Sequence, residues 1–442
     1  MKFKKKISVI GLGFIGLPLF VYLNDKLKNQ ITGIDKKSSL TNKKFLQLQS
    51  GINPIKSNDK IFDNIVKKNS KRKLKFSTTI SDIGDSNIVI VSVGFDLTKK
   101  NSMGNLKRLF QEIGQNIREN TLIVLETTVL PGTSKNIILP TLKKEIIKRK
   151  LNFNKIYFSY SFERIMPGKN YISSLNSNRC FASKDNKSKK ETLSFLKLLV
   201  DTKKNQLTYF DNFIDCETTK IIENSYRALN IAFIDEWVRF GLGQNLDINK
   251  ILKVIRLRNT HSNIMRPGIG VGGYCLTKDL LFGDLSNIYF KKKKNKFPLT
   301  LKAKTVNQDM YKTSLDFLIM NTKLKNKKIL ILGASYKEDV FDLRLSPSIN
   351  LLKSLKKYTN NVFLYDPFIE KNDKLNTINK LPKLKKFDVV IFVNAHKQLK
   401  NISFNKFVKN TIYFDLNNVL SDKIIKKCKK NNILLKVLGD KK

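Results

Sequence analysis

Residues 7–16 read I-S-V-I-G-L-G-F-I-G, and residues 31–35 read I-T-G-I-D. The first stretch is a short apolar run followed by glycines spaced G-x-G-x-x-G. That pattern predicts a buried strand, a tight turn and the start of a helix, and residues 31–34 predict the next strand. In such a unit the glycines let the backbone approach a pyrophosphate at the helix N-terminus, and an acidic residue after the second strand takes the ribose hydroxyls. Asp35 stands 19 residues after Gly16. Gly11, Gly13, Phe14, Ile15, Gly16 and Asp35 are therefore the candidate dinucleotide contacts. The Asp35 carboxylate would repel a 2′-phosphate, which favours NAD over NADP; the adjacent Lys36 works against that preference.

Outward from this unit, strand and helix patterns alternate. Residues 87–93, 121–125 and 156–160 are near-continuous apolar runs, with a helical pattern at 106–117 between the first two. Such runs predict a parallel sheet buried on both faces. A second set begins at Lys328, with runs at 329–332, 362–365, 389–393 and 412–415. Its first turn, Gly333-Ala334-Ser335-Tyr336, lacks the glycine fingerprint, so a second dinucleotide is not expected there. Between the sets lie two helical stretches, one from an N-cap at Asp215 to about Leu242 and one from Pro298 to Asn321. The expected fold is α/β, with two Rossmann-like doubly wound domains joined by long central helices. The expected segments are 1–205, 206–324 and 325–442.

Length and composition bound the function. A chain of 442 residues exceeds one core. The net charge of +48 would suit a nucleic-acid protein. The lysines, however, are scattered and accompanied by abundant Asn, Ile and Phe, residues spelled by A/T-rich codons. Genome composition explains the charge, and no basic–aromatic interleaving appears. No nucleic-acid partner is expected, although the charge would attract a small anionic substrate. Residues 291–294 form a lysine run read as solvated. Four cysteines without C-x-x-C spacing and two histidines give no metal site, and point to a reducing cytoplasm. Residues 1–23 mimic a signal peptide, but three glycines and Pro18 interrupt them and no small-residue cleavage site follows. No other stretch reaches membrane-spanning length.

Three stretches carry chemistry. Residues 126–133 (E-T-T-V-L-P-G-T) and 161–168 (S-F-E-R-I-M-P-G) each follow a strand C-terminus, where open α/β sheets bind ligands. On the helix after Asp215, Glu217, Lys220, Asn224, Ala228, Ile231 and Asp235 share one face by the three–four spacing. Residues 266–279 read R-P-G-I-G-V-G-G-Y-C-L-T-K-D. The glycines allow close backbone approach, Cys275 supplies a nucleophile, Lys278 favours thiolate and Asp279 can handle protons.

With these stretches placed, the chain resembles the UDP-glucose/GDP-mannose dehydrogenase family of nucleotide-sugar 6-dehydrogenases. The resemblance rests on the N-terminal fingerprint with Asp35, T-T-V-x-P-G-T at 127–133, E-R-x-x-P-G at 163–168 and E-x-x-K-x-x-x-N at 217–224. It continues through G-x-G-G-x-C-x-x-K-D at 270–279 and G-x-x-x-K-x-x-x-x-D-x-R-x-S-P at 333–347. It implies a homodimer that oxidises a sugar CH₂OH to a carboxylate with two NAD. By that resemblance Lys220 and Asn224 bind the C6 oxygen, and Cys275 forms a thiohemiacetal and then a thioester. A water assisted by Thr128, Glu163 and Asp279 hydrolyses the thioester. Glu163, Arg164, Gly272 and Gly273 join the substrate site, Lys337 meets the substrate phosphate, and Thr128 and Arg344 contact NAD. Thr277 and Phe162 depart from common prolines, Gly94-Phe95-Asp96 from a common Thr-Pro, and residues 259–263 hold no arginine. Glu163-Arg164 and the Thr-Thr-Val turn resemble the branch acting on UDP-N-acetylhexosamines; Gly-Gly-Tyr-Cys with Lys278-Asp279 resembles the UDP-glucose branch. The first is favoured. A β-hydroxyacid dehydrogenase would share the first domain and central helix, but needs neither Cys275 nor a second α/β domain.

Overall fold

The computed structural model describes residues 5–27, 31–97, 101–168, 170–292, 297–370 and 372–441. The chain divides into two compact units, residues 1–223 with 281–296 and residues 224–280 with 297–442. Residues 1–4 of the basic N-terminus and 293–294 of the lysine run lie outside the described residues.

The first unit carries β1 (Ile7–Ile10), β2 (Ile31–Ile34), β3 (Lys75–Ser77), β4 (Ile88–Val91), β5 (Leu122–Leu125), β6 (Tyr157–Tyr160), β7 (Arg179–Ser183) and β8 (Leu207–Phe210). They form one sheet in the order β3-β2-β1-β4-β5-β6-β7-β8, parallel except where β7 meets β6. From β3 to β6 this is the doubly wound order. The alternation of side chains explains the layering. Val89, Val91, Ile123 and Leu125 pack with Leu106, Phe110 and Ile113 of the helix Ser102–Asn116. Their neighbours Ile88, Ile90, Leu122 and Val124 pack with Leu17, Phe20 and Leu23 of the helix Gly16–Leu27. With both faces covered, every position of these strands is apolar.

The second unit repeats the plan with β9 (Ile329–Leu332), β10 (Val362–Tyr365), β11 (Thr377–Ile378), β12 (Val389–Phe392), β13 (Ile412–Asp415) and β14 (Leu435–Val437). The order is β11-β10-β9-β12-β13-β14, parallel throughout. Ile329 and Ile331 face one core with Leu351, Leu352 and Leu355, while Leu330 and Leu332 face the other with Cys428.

The two long helices of the middle of the chain match the two expected stretches. Pro298–Asn321 has the predicted bounds, with proline at its first position, where a missing N–H costs nothing. The other, Phe213–Gln244, starts two residues before the expected N-cap. Asn212 performs the capping, its side-chain oxygen accepting the N–H of Asp215 at 2.9 Å. Asp215 is thus in the first turn, where its charge suits the helix dipole. The division between units falls within this helix, after Glu223.

Candidate active site

In the first unit the glycine turn has the shape that its spacing predicts. Gly11 adopts φ +89, and a Cβ there would meet the Ser92 carbonyl oxygen at 2.7 Å. A Cβ on Gly16 would collide with the Gly11 carbonyl oxygen, whereas nothing lies within 4 Å of the corresponding point on Gly13. Gly13 therefore leaves its backbone open to a ligand. Phe14 and Ile15 are half-buried, and the Phe14 carbonyl accepts the Tyr171 hydroxyl. Asp35 accepts the Lys44 ammonium at 2.6 Å, and Lys44 also donates to the Leu12 carbonyl at 2.7 Å. Lys36, weighed from sequence for its charge, gives Asp35 its backbone N–H at 2.9 Å. Lys44 has no local sequence signal; it stands nine residues after Asp35, and the helix Ser39–Gln49 brings it back.

The two motifs at strand ends are braced from beneath. Glu126 and Arg179 form a fully buried pair at 2.6 Å. Thr127 donates to the Val93 carbonyl at 2.9 Å, which leaves the half-buried Thr128 next along the turn. Glu217 accepts the N–H groups of Gly132 at 2.5 Å and Ser134 at 2.9 Å. It therefore holds the Pro-Gly-Thr turn, and burial raises its carboxyl to about 7. Glu163 is also buried and raised to about 7, mainly by desolvation, against the pull of Lys220 and the Ile165 N–H. Lys220 donates to the Glu163 backbone carbonyl at 3.0 Å. The ring of Phe162, where the resemblance would place proline, lies 5.3 Å from the Lys220 ammonium and 5.1 Å from the Arg164 guanidinium. Arg164 pairs with Glu223 at 3.0 Å. A carboxyl poised near neutrality beside a cation can exchange protons at physiological pH.

Cys180 and Cys216, remote in sequence, come together in this unit as free thiols with their sulfurs 3.8 Å apart.

In the second unit Asp279 is buried; Asn224 donates to one of its oxygens at 2.9 Å and Lys278 to the other at 2.5 Å. Cys275 opens the short helix Cys275–Lys278 and is exposed. The glycines before it make room for protein. A Cβ on Gly272 would sit 2.4 Å from the Tyr336 Cβ, and one on Gly273 would sit 2.6 Å from the Tyr336 ring. Gly273 donates its N–H to the Arg344 carbonyl at 2.8 Å. The loop after β9 therefore supports the cysteine loop. Arg344 pairs with Asp342 at 2.8 Å and lies 4.4 Å from the Tyr274 ring. Lys337 is half-buried, and desolvation lowers its ammonium from the usual range.

Three family models match this chain. The NAD binding domain of the UDP-glucose/GDP-mannose dehydrogenase family covers residues 5–197, its central domain 215–309 and its UDP binding domain 330–422. The chain belongs to the UDP-glucose/GDP-mannose dehydrogenase family. It is an NAD-dependent dehydrogenase of nucleotide sugars. Among its relatives is the UDP-N-acetyl-D-mannosamine dehydrogenase of Pyrococcus horikoshii, 26% identical over 435 residues, 94% of this chain and 96% of the relative. The UDP-N-acetyl-D-glucosamine 6-dehydrogenase of Salmonella typhi is 26% identical over 423 residues, 90% of this chain and 91% of the relative. In fold, the chain is similar to the solved UDP-D-ManNAc dehydrogenase of Pyrococcus horikoshii, with a TM-score of 0.78 and 23% identity over 98% of this chain and 99% of that one. Among the described residues, no helix is long and apolar enough to cross a membrane.

Proposed function

We propose that this enzyme oxidises the C6 hydroxymethyl of a UDP-N-acetylhexosamine to the uronic acid, using two NAD and one water. The names of the relatives support the N-acetylated sugar over UDP-glucose, and so does the Glu163-Arg164 segment. The observation that carries the chemistry is the set around Asp279: a buried carboxylate bonded to Asn224 and Lys278, four residues from an exposed thiol.

The roles follow from the chemistry. Gly11, Gly13, Phe14, Ile15 and Gly16 would hold the NAD pyrophosphate, and Asp35 would hold its ribose. Lys220 and Asn224, one turn apart on one helix, stabilise negative charge on the C6 oxygen while the first hydride leaves. The Cys275 thiolate adds to the aldehyde carbon; loss of the second hydride from this thiohemiacetal leaves a thioester. Water attacks the acyl carbon, its proton passes to Glu163 or Asp279 with Thr128 orienting it, and the thiolate departs. Arg164, Gly272 and Gly273 line the sugar, Lys337 meets the diphosphate, and Arg344 reaches NAD.

The segments 1–205, 206–324 and 325–442 then bind cofactor, carry the nucleophile and pairing surface, and bind nucleotide. Phe233, Trp237 and Phe240 form an exposed aromatic ladder on the helix Phe213–Gln244, with ring centroids 6.2 and 5.8 Å apart. A homodimer covering that ladder is the natural use of so much exposed apolar surface. Trp237→Glu should turn dimer into monomer by light scattering; a monomeric wild type would refute the dimer. The free thiols suit a reducing cytoplasm.

The mechanism is tested by stoichiometry with UDP-N-acetylmannosamine, UDP-N-acetylglucosamine and UDP-glucose. Two NADH should form per acid, with one iodoacetamide-sensitive thiol protected by the sugar. Cys275→Ala should lose acid formation by roughly 10⁴–10⁶-fold, the range for removing one member of a catalytic unit. One NADH per turnover, or full activity in Cys275→Ala, would refute it.

A further inference from the structure

His396 is fully buried in the second unit, yet no step above uses it. Its Nδ1 accepts the backbone N–H of Asp339 at 2.9 Å. The ring proton is therefore on Nε2, which donates to Asp366 Oδ2 at 3.0 Å. The same oxygen accepts the N–H groups of Ala334 and Ser335, both at 2.8 Å. The His–Asp pair thus grips the loop after β9 on both sides of Lys337, at 334–335 before it and at 339 after it. Two more bonds complete the clamp: Asn394 donates to the Ser335 carbonyl at 2.6 Å, and the Lys397 N–H donates to Asp339 Oδ1 at 2.9 Å. The loop needs this support because Asp339 holds φ +56, a region that costs a residue with a Cβ.

We propose that His396 and Asp366 are positioning residues for the nucleotide: they fix the backbone at 334–339 so that Lys337 presents its ammonium to the substrate diphosphate. The proposal rests on the assignment of Lys337 to the phosphate. A lysine has four rotatable bonds, so its affinity for an anion depends on how firmly its backbone is held.

The test uses the full-length protein and UDP as the probe, measured by calorimetry beside NAD. His396→Phe fills the ring's place but leaves the Asp339 N–H and the Asp366 carboxylate without their partner. It should weaken UDP by about tenfold or more, the scale of a lost charge-assisted bond, and leave NAD within about twofold. His396→Gln keeps a donor and an acceptor and should stay within about threefold of wild type for UDP. On a Lys337→Ala background, His396→Phe should add less than about twofold, because the two changes remove one interaction. Wild-type UDP affinity in His396→Phe, or full additivity with Lys337→Ala, would overturn the proposal. If His396→Phe does not fold, Asp366→Asn enters the same cycle with the same expected loss, and unchanged or additive affinity there overturns it equally. Lys337→Ala with unchanged UDP affinity would instead refute the phosphate assignment. A weakened Lys337→Ala beside an unaffected His396→Phe would refute only the positioning role.

Discussion

The six strands of the second sheet repeat the order of β3 to β6 in the first, and in each sheet an aspartate follows the second strand, Asp35 after β2 and Asp366 after β10. The two carboxylates are used in opposite ways. Asp35 keeps 16% of its side chain exposed, paired to Lys44 beside a glycine turn that leaves Gly13 open. Asp366 is sealed, its oxygens taken by the N–H groups of Ala334, Ser335 and Phe368 and by His396. The turn glycines differ in the same sense. A Cβ on Gly333 would sit 2.5 Å from the Asn394 Cβ, so closeness there serves packing within the unit. One topological position is thus left partly open in the first half and turned to its own backbone in the second. The fold sets where an acidic residue stands; the side chains around it decide what it binds.

If the halves divide the work, they should fail separately. Within this comparison the largest effect is expected from Glu163→Gln in the first half, which removes the proposed proton carrier and should lower turnover by roughly 10²–10⁴-fold. UDP affinity, a property of the other half, should hold. Because the Glu163 carboxyl is raised to about 7 by burial, the wild-type rate of acid formation should climb with pH through about 7 and then level, and Gln should abolish that limb. Stability should run the other way. Glu163 and Glu217 both bind protons more tightly folded than their ordinary value of 4.5 allows unfolded. Their contribution is complete below that value and is lost as pH rises through about 7. Urea unfolding at pH 5 and pH 8 measures the difference, and a smaller drop in Glu163→Gln would assign its share.

The next effect sets the two aspartates directly against each other. Asp35→Asn should weaken NAD by about ten- to a hundredfold, the range of 1.5–3 kcal/mol for a hydrogen bond to a charged group. It also leaves the Lys44 ammonium without its carboxylate beside the ribose, so NADP should gain relative to NAD. Asp366→Asn should spare NAD and weaken UDP. A loss of both ligands in either variant would break the division. The measurement is a Michaelis constant for each dinucleotide and a dissociation constant for UDP.

Much of this was legible in sequence because buried parallel strands write themselves as apolar runs. The cores of β1, β2, β9, β10 and β13 lie where those runs predict. What escaped had a different local chemistry. β3 reads K-F-S and β8 reads L-T-Y-F, half-exposed edge strands with too few apolar residues to stand out. β7 holds Arg179, a charge that belongs in the core only because Glu126 meets it there. Of the candidate site, residues within one motif were readable, such as Cys275 with Lys278 and Asp279. Lys44, Glu217 as a brace and His396 were not, since each acts on a loop far along the chain.

The smallest effect concerns the thiols, which divide as the aspartates do. Cys275 is exposed on its loop, whereas Cys180 and Cys216 are packed together within the first unit. The hydrogen bond to Cys180 and burial push the Cys216 thiol well above its usual range, so it resists forming the thiolate that reacts. Cys216 nevertheless stands four residues before Lys220 on the same helix, close enough for a role in the site to be worth excluding. Cys216→Ala removes one buried sulfur and should cost about 1–2 kcal/mol, an ordinary core truncation. Thermal unfolding should register that as a fall of about 2–4 °C per kcal/mol. Turnover should stay within about twofold, because a small cavity beneath the helix leaves the Lys220 bond to the Glu163 carbonyl intact. Iodoacetamide should label Cys275 first in both proteins, read by mass spectrometry of the peptides. A tenfold loss of turnover with unchanged melting would reverse the reading and place the buried pair in the chemistry.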